Sequence, residues 1–167
     1  FRGSTYTAES AIADIVDNSI EAEAKTINIQ IDNGGDFVAI LDDGYGMSNE
    51  THKESMKIAS ETREYTEGAL GKFGTGMKAA SLSQARRLIV ATRQKDSTDI
   101  TVRCLDIDHV AKVNDWNKIT LVLDVEDLPP FAIKHLRNQH GTVVIWQNLD
   151  RLLKAENVQD KGLINRD

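Results

Sequence analysis

The chain has 167 residues, 40% of them hydrophobic and 28% charged, which is enough for one globular domain with a buried core. Its formal net charge of −6 excludes nonspecific attraction of the whole surface to nucleic acid or anionic membranes, so any basic patch must be local. The single cysteine, Cys104, excludes an intrachain disulfide and a cysteine-based zinc site. No signal peptide and no 18-residue apolar run are present, so we expect a cytoplasmic protein without a membrane partner.

The first predicted element is an amphipathic helix over residues 8–23. Thr7 suits the N-cap, and an apolar stripe follows at Ile12, Ile15, Val16 and Ile20. The polar face carries Asp14 and Asn18, which are one turn apart. Such a face usually does no more than contact water. Asparagine is a poor former of helix interiors, however, so a functional role for Asn18 stays open.

A β-hairpin is predicted next, with strands at Thr26–Ile31 and Phe37–Leu41 and a turn at residues 33–36. The second strand runs directly into the sequence Asp42-Asp43-Gly44-Tyr45-Gly46-Met47. A carboxylate at a strand end, followed by two glycines, suits contact with the edge of a flat ring because the missing side chains leave room. The alternative is an ordinary acidic turn.

A polar segment and a glycine-rich stretch follow a short helix predicted over residues 49–59. Ser60–Leu70 is too long for an ordinary connection, and we expect residues 48–76 to form a lid. The stretch that ends this region suits contact with phosphate through its backbone N–H groups and Lys78, although an ordinary turn with Lys78 in water is the alternative. It consists of Gly71, Lys72, Phe73, Gly74, Thr75, Gly76, Met77 and Lys78.

The remainder of the chain is rich in strands. Helices are predicted at residues 75–83, 131–138 and, weakly, 149–155, and Cys104 is expected to fill the core. We expect the basic residues Arg86, Arg87, Arg93 and Lys95 to form a solvated strand end. The predicted strands are Arg87–Arg93, Asp99–Leu105, Lys118–Val125 and Thr142–Gln147. The pattern indicates an α+β fold, a two-layer sandwich with helices on one face of a mainly antiparallel mixed sheet.

Four motifs now stand in order along the chain: Asp14/Asn18, Asp42-x-Gly44-x-Gly46, Gly71-x-x-Gly74-x-Gly76 and Gly141-Thr142. Together they resemble the Bergerat-fold (GHKL) ATPases, which include DNA gyrase B subunits, heat-shock chaperones, histidine kinases and MutL. The segment Asp14–Ala22 is similar to the first-helix motif of MutL, and Gly71–Ala80 is closer to the MORC ATPases. The resemblance covers residues of about 8 to 147 and implies an ATP-binding domain that hydrolyses ATP.

The resemblance also implies roles for individual residues. Asn18 matches the ligand of a Mg²⁺ ion at the phosphates, and Asp14 matches the general base. Asp42 matches the acceptor for the adenine amino group, with Thr142 assisting at the same edge. The residues expected to contact the nucleotide are Asp42, Gly44, Gly46, Met47, Gly71, Lys72, Phe73, Gly74, Thr75, Gly76, Met77, Lys78 and Thr142.

Two features depart from the family pattern. The base is normally a glutamate in MutL-like and gyrase-like members, and Asp14 is one methylene shorter, so we expect slow hydrolysis. Those members also take a phosphate-contacting lysine from a following domain. Because this chain begins at Phe1 and ends in a polar tail, we expect residues 1–167 to be one domain, with its core at about 8–150, from the N-terminal part of a longer protein.

Three functions remain open at this stage. The first is an ATPase whose lid closure drives conformational change or an ATP-dependent homodimer of the longer protein. The second is a nucleotide-gated binding module without hydrolysis, and the third is a histidine-kinase-type catalytic domain. The acid at Asp14 argues against the third, because such kinases typically carry asparagine there. A nucleic-acid partner is suggested by family analogy alone.

Overall fold

The computed structural model describes residues 7–32, 34, 36–57, 75–113 and 119–150. Within these ranges the chain forms five helices and six strands. The helices are α1 (Ala8–Glu21), α2 (Asn49–Ser55), α3 (Thr75–Gln84), α4 (Ile107–Val110) and α5 (Pro130–Asn138). The strands are β1 (Ile27–Ile31), β2 (Phe37–Asp42), β3 (Ala85–Arg93), β4 (Ile100–Asp106), β5 (Thr120–Leu123) and β6 (Gly141–Leu149).

The six strands form one sheet in the order β1-β2-β6-β3-β4-β5. Every neighbouring pair in the described sheet is antiparallel, so the expectation of an α+β fold is confirmed and the described sheet is not mixed. The last of the described strands, β6, lies in the middle of the sheet, between β2 and β3. Its register places Val143 beside Leu41 and Thr142 beside Thr92, which brings the start of β6 to the end of β2.

Helix α1 begins with the capping box that Thr7 suggested. The Ser10 N–H donates to Thr7 Oγ1 at 3.1 Å, and the Thr7 N–H donates to Ser10 Oγ at 2.9 Å. The buried residues Ala11, Ile15 and Ser19 face the rest of the protein at four-residue intervals. Ile20, expected on the apolar stripe, is 59% exposed instead. The helix therefore docks along a narrower line than the sequence indicated.

The sheet is covered on both faces, which corrects the expectation of helices on one face. One core joins α1 and α3 to alternate strand residues such as Ile40, Leu88 and Trp146. The other core joins Ala132 and Leu136 of α5 to the intervening residues, which include Ala39, Leu41, Ile89, Ala91, Val143 and Ile145. Because the central strands are apolar at successive positions, both of their faces need cover from water. Cys104 is buried in the second core, as expected.

Several boundaries differ from the sequence expectation. Helix α4 and a short 3-10 turn at Val125–Asp127 are additional elements. Leu149 is the last residue of β6, so the expected helix over 149–155 does not start there, and its residues 151–155 lie outside the described ranges. Most of the expected lid, residues 58–74, also lies outside them. Among the described residues, no helix is long and apolar enough to cross a membrane.

Candidate functional site

The Asp42 carboxylate is a buried, hydrogen-bonded group at the end of strand β2. It is 5% exposed and accepts three hydrogen bonds. Oδ1 accepts from the backbone N–H groups of Gly44 at 2.9 Å and Thr142 at 3.1 Å, and Oδ2 accepts from Ser19 Oγ at 2.7 Å. Residues from α1, the turn after β2 and β6 thus hold one carboxylate in a fixed orientation.

Thr92, on β3, ties the same strand ends together. Its Oγ1 accepts from the Met47 N–H at 2.9 Å, donates to the Gly141 carbonyl at 3.0 Å and lies 3.0 Å from Thr142 Oγ1. Gly141 has a φ of 146°, and a Cβ there would lie 2.0 Å from the Asp42 carbonyl oxygen. Only glycine permits this close approach of β6 to β2.

A cavity of about 240 Å³ opens beside the Asp42 carboxylate. Apolar groups form much of its wall, which suits a flat ring, and polar side chains complete the lining. Its lining comprises Ile15, Asn18, Ser19, Glu21, Ala22, Asp42, Gly46, Met47, Thr51, Ser55, Met77, Thr142 and Val144. Of the expected nucleotide contacts, the structure therefore brings Asp42, Gly46, Met47, Met77 and Thr142 together around one space.

The two expected functional residues of α1 lie differently. Asn18 is exposed and lines the cavity together with Glu21, one turn further along the helix. Asp14 is half-buried, one turn before Asn18, and is not among the residues that line the cavity. In the described part of the chain, no three His, Cys, Asp or Glu residues cluster as a metal site. A cation here would depend on the oxygen of the Asn18 amide.

The glycines after Asp42 serve the protein's own packing. Gly46 has a φ of 70°, and a Cβ there would lie 2.1 Å from the Arg93 carbonyl oxygen. A Cβ on Gly44 would lie 2.8 Å from the Ala22 Cβ. Gly46 lines the cavity, whereas Gly44 does not line it and donates its N–H to the Asp42 carboxylate. Room for a ligand is therefore not the only reason for these glycines.

The start of α3 differs from the expected phosphate loop. Gly76 lies in the first turn of α3 and does not have positive φ. Lys78, expected to face phosphate, is 6% exposed, and its Nζ donates to the Lys57 carbonyl just after α2. This hydrogen bond joins α3 to the residues just after α2, so Lys78 contributes to packing between the two helices. Gly71, Lys72, Phe73 and Gly74 lie outside the described residues, as does the side chain of Thr75.

The basic stretch is used within the fold rather than being only a solvated strand end. Arg86 forms an ion pair with Asp108 at 2.6 Å. The Arg93 guanidinium donates to the carbonyl oxygens of Ser97, Leu136 and Arg137, and so caps the last turn of α5. These contacts engage two of the four basic residues of this stretch, Arg86 and Arg93, within the fold.

A second buried polar cluster joins α2 to β4. The Arg103 guanidinium, 8% exposed, donates to Asn49 Oδ1 at 2.8 Å and to His52 Nδ1 at 3.0 Å. His52 is fully buried, and its Nδ1 also lies 2.7 Å from Thr101 Oγ1. Burial, followed by the charge of Arg103, lowers the pKa of His52 to about 3. The imidazole is therefore neutral and accepts from both neighbours at Nδ1.

Sequence reasoning missed Ser19, which donates to the Asp42 carboxylate, and Thr92, which joins the neighbouring strand ends. Ser19 follows Asn18 directly, and its buried position in the Ala11–Ile15–Ser19 line was the available signal. Thr92 gave no signal, because an alternating strand contains many threonines whose partners depend on the neighbouring strands. Arg103 and His52 were also unforeseen, because they lie on β4 and α2, which are 51 residues apart in sequence.

The sequence matches a known family over most of its length. The model of the "Histidine kinase-, DNA gyrase B-, and HSP90-like ATPase" family matches residues 6–142. The chain is 30% identical over 111 residues to the DNA mismatch repair protein MutL of Clostridium acetobutylicum, covering 60% of this chain and 18% of that protein. It is 29% identical over 143 residues to the human ATPase MORC2, covering 74% of this chain and 13% of that protein.

A solved structure supports the fold. The crystal structure of the N-terminal domain of a DNA repair protein aligns with 97% of this chain and 42% of its own, with a TM-score of 0.57 and 18% sequence identity. At that identity the likeness concerns the fold alone. The chain spans less than a fifth of the length of the MutL and MORC2 relatives.

Proposed function

This chain belongs to the histidine kinase-, DNA gyrase B- and HSP90-like ATPase family, and we propose that it binds ATP with the adenine base in the Asp42 cavity. The observation that carries the proposal is the set of acceptor positions on Asp42. A carboxylate has about four positions that accept hydrogen bonds. Gly44, Thr142 and Ser19 take three of them, and the fourth lies on Oδ2. An exocyclic amine in the cavity supplies the fourth donor.

The chemistry of the cavity favours adenine over guanine. Adenine presents an amino group at the edge that would meet Asp42, and guanine presents a carbonyl oxygen there, which an ionised carboxylate repels. The apolar side chains of Met47, Met77 and Val144 provide contact area for the ring faces. The volume of about 240 Å³ lies below the range of about 300–1,000 Å³ that encloses a whole ligand. The described residues thus form the base-binding end of the proposed site.

We assign the other end of the nucleotide to Asn18 and the metal it would hold. The fit rests on chemistry, since Mg²⁺ prefers oxygen ligands, and the exposed Asn18 offers an amide oxygen where α1 borders the cavity. A bound Mg²⁺ would neutralise phosphate charge. Asp14, one turn earlier on α1, would orient a water molecule and accept its proton. Lys72 and the glycines of residues 71–76 are retained as proposed phosphate contacts.

We propose slow hydrolysis, because the shorter Asp14 positions water less well than a glutamate would. A second candidate function, nucleotide-gated binding without hydrolysis, is favoured by one observation: Asp14 does not line the cavity. In the first case lid closure over residues 48–76 drives conformational change or homodimer formation in a longer protein. In the second case the same closure occurs without turnover.

A role in DNA metabolism is a further part of the proposal. It rests on the names of relatives, such as the DNA mismatch repair protein MutL, and not on a surface formed by the described residues. The engaged arginines of β3 argue against the described domain as the contact surface.

Calorimetric titration with Mg·ATP and Mg·GTP tests the adenine assignment. We expect ATP to bind in the micromolar to millimolar range, with GTP much weaker. Asp42→Asn should weaken ATP binding by about 10- to 100-fold, because the amide presents an N–H group to the adenine amine. The fold should survive, since the amide oxygen still accepts from Gly44 and Thr142, and its nitrogen donates to Ser19.

Asp43→Asn is the matched control. Asp43 is the adjacent carboxylate, and its Oδ1 accepts from the Lys25 and Thr26 N–H groups at 2.8 and 2.9 Å, outside the cavity. An asparagine keeps that acceptor. Equal affinities for ATP and GTP, or equal effects of the two substitutions, would show that Asp42 does not read the base.

A further inference from the structure

The backbone of the Asp42 turn is held from the face of the sheet opposite α1. His135 Nε2, on α5, lies 2.6 Å from the Asp42 carbonyl oxygen, and His140 Nδ1 contacts the Gly44 carbonyl oxygen. A carbonyl oxygen accepts hydrogen bonds and cannot donate them, so each ring nitrogen is the donor. The two histidines therefore donate hydrogen bonds to the carbonyl oxygens on either side of Asp43, at Asp42 and Gly44.

The donor state of His135 is fixed by a neighbour. Gln139 Nε2 lies 3.0 Å from His135 Nδ1, and an amide nitrogen donates, so Nδ1 accepts while Nε2 carries the proton. This arrangement keeps the Nε2 proton directed at the Asp42 carbonyl oxygen. Gln139 thus determines which ring nitrogen of His135 carries the proton.

Helix α5 is itself anchored firmly. Its residues Ala132 and Leu136 are fully buried in the second core. Its last carbonyl groups, on Leu136 and Arg137, accept from the Arg93 guanidinium at 3.1 and 3.2 Å. Since Arg93 belongs to β3, the helix cannot shift relative to the sheet without losing these bonds. His135 is therefore a rigid support.

The position of this backbone decides where the Asp42 carboxylate points. Oδ1 is held by the Gly44 N–H, and Gly44 is the residue whose carbonyl His140 contacts. His135 and His140 do not line the Asp42 cavity, and His140 borders a separate space of about 320 Å³ behind the turn. Any influence on a ligand must therefore pass through the turn.

We propose that His135, supported by Gln139 and His140, is a positioning residue for base recognition by Asp42. The inference rests on the proposed adenine site. Without the His135 donor the Asp42 carbonyl loses its partner, the turn relaxes, and the carboxylate meets the base less accurately. The expected consequence is weaker ATP binding and poorer discrimination against GTP.

The test compares His135→Ala with His135→Gln and with Lys134→Ala, an exposed control on the same helix. We expect His135→Ala to weaken Mg·ATP binding by about tenfold and to reduce the ratio of ATP to GTP affinity. His135→Gln restores an N–H donor and should recover most of the affinity. Gln139→Leu, which frees the ring to change tautomer, should have a smaller effect of about threefold.

Amide hydrogen exchange gives a readout that does not need nucleotide. In the unliganded protein, His135→Ala should speed exchange at the Gly44 and Thr142 N–H groups, which donate to Asp42, and Lys134→Ala should not. A purely structural role would lower the free energy of unfolding while leaving affinity, selectivity and local exchange unchanged, and this result would overturn the inference.

Failure of the inference is distinguishable from failure of the proposed function. If wild-type protein binds ATP and Asp42→Asn weakens that binding, the adenine site stands. An unchanged affinity in His135→Ala would then reject the positioning role alone. If wild-type protein does not bind ATP, the adenine site is rejected, and the exchange rates of Gly44 and Thr142 still decide whether His135 holds the turn.

Discussion

Asp42 and Arg103 are both charged, both less than 10% exposed and both on the face of the sheet that α1, α2 and α3 cover. Their surroundings differ. Asp42 has one acceptor position left and borders a cavity, whereas α2 covers Arg103, whose donors reach Asn49 and His52. A buried charge thus indicates a ligand site where it meets a cavity, and a packing contact where it does not. We expect Asp42 to matter for binding and Arg103 for stability.

The largest effect should follow Arg103→Ala. The substitution removes a buried side chain, leaves Asn49 Oδ1 without its Arg103 donor and removes one of the two donors to His52 Nδ1, so the free energy of unfolding should fall by about 3 kcal/mol. Urea denaturation measures this loss, and calorimetry on the folded fraction should find ATP affinity changed by no more than a few-fold. Asp42→Asn should show the opposite combination. A larger loss of stability for Asp42→Asn than for Arg103→Ala would break the comparison.

The next effect is a loss of stability at acidic pH, caused by His52. The pKa of His52 is lowered to about 3 in the folded protein and is about 6.5 in the unfolded chain, so its contribution is fully present above pH 6.5 and is lost as pH falls toward 3. This contribution should decrease by about 2 kcal/mol between pH 7 and pH 5. Urea denaturation at both values measures it. His52→Gln cannot titrate, and the difference between the two proteins isolates His52. If the stabilities of the wild type and His52→Gln changed in parallel with pH, protonation of His52 would cost the folded protein no stability.

Thr92→Val should combine both kinds of effect at smaller size. Valine has nearly the same shape but no hydroxyl, so the Met47 N–H loses its acceptor and the Gly141 carbonyl its donor. We expect a loss of about 1–2 kcal/mol in stability and about fivefold in ATP affinity, since Met47 and Thr142 line the cavity. Thr92→Ser retains the hydroxyl and should behave like the wild type. An effect on stability alone would mean that Thr92, like Arg103, matters for stability and not for binding.

The smallest effect on affinity is expected at Asp14. Asn18→Ala should weaken Mg²⁺-dependent ATP binding by about tenfold through loss of an oxygen ligand, whereas Asp14→Asn should change it less than twofold. Asp14→Asn should abolish any hydrolysis by the full-length protein, because an amide accepts no proton from water. Phosphate release measures the rate. Asp14→Glu should raise turnover if reach is limiting. Hydrolysis by Asp14→Asn at the unmodified rate would place the base elsewhere.

Much of the site was predictable because its signals are local. The Asp42-x-Gly44-x-Gly46 motif follows an alternating strand, and Asn18 lies one helical turn from Asp14. The structure brings Asp42, Asn18, Met47 and Thr142 to one cavity, and their contact with a nucleotide stays a prediction. The contact of Lys78 with the Lys57 carbonyl could not be predicted, because a lysine at a helix start gives no information about a partner 21 residues away; its contact with phosphate stays a prediction.

The sequence by itself determined most of the longer elements in the described part of this protein. A capping residue at Thr7, the alternation of Ile27, Ile29 and Ile31, and the strand-ending Asp42 are local patterns, and local backbone preferences and side-chain periods are enough to interpret them. Only the tertiary structure decided that β6 lies between β2 and β3 and that α5 covers the second face. The Thr142 N–H and Asp42 are 100 residues apart, and His135 and Asp42 are 93 apart. Such pairings depend on packing across the whole sheet, which no local pattern contains.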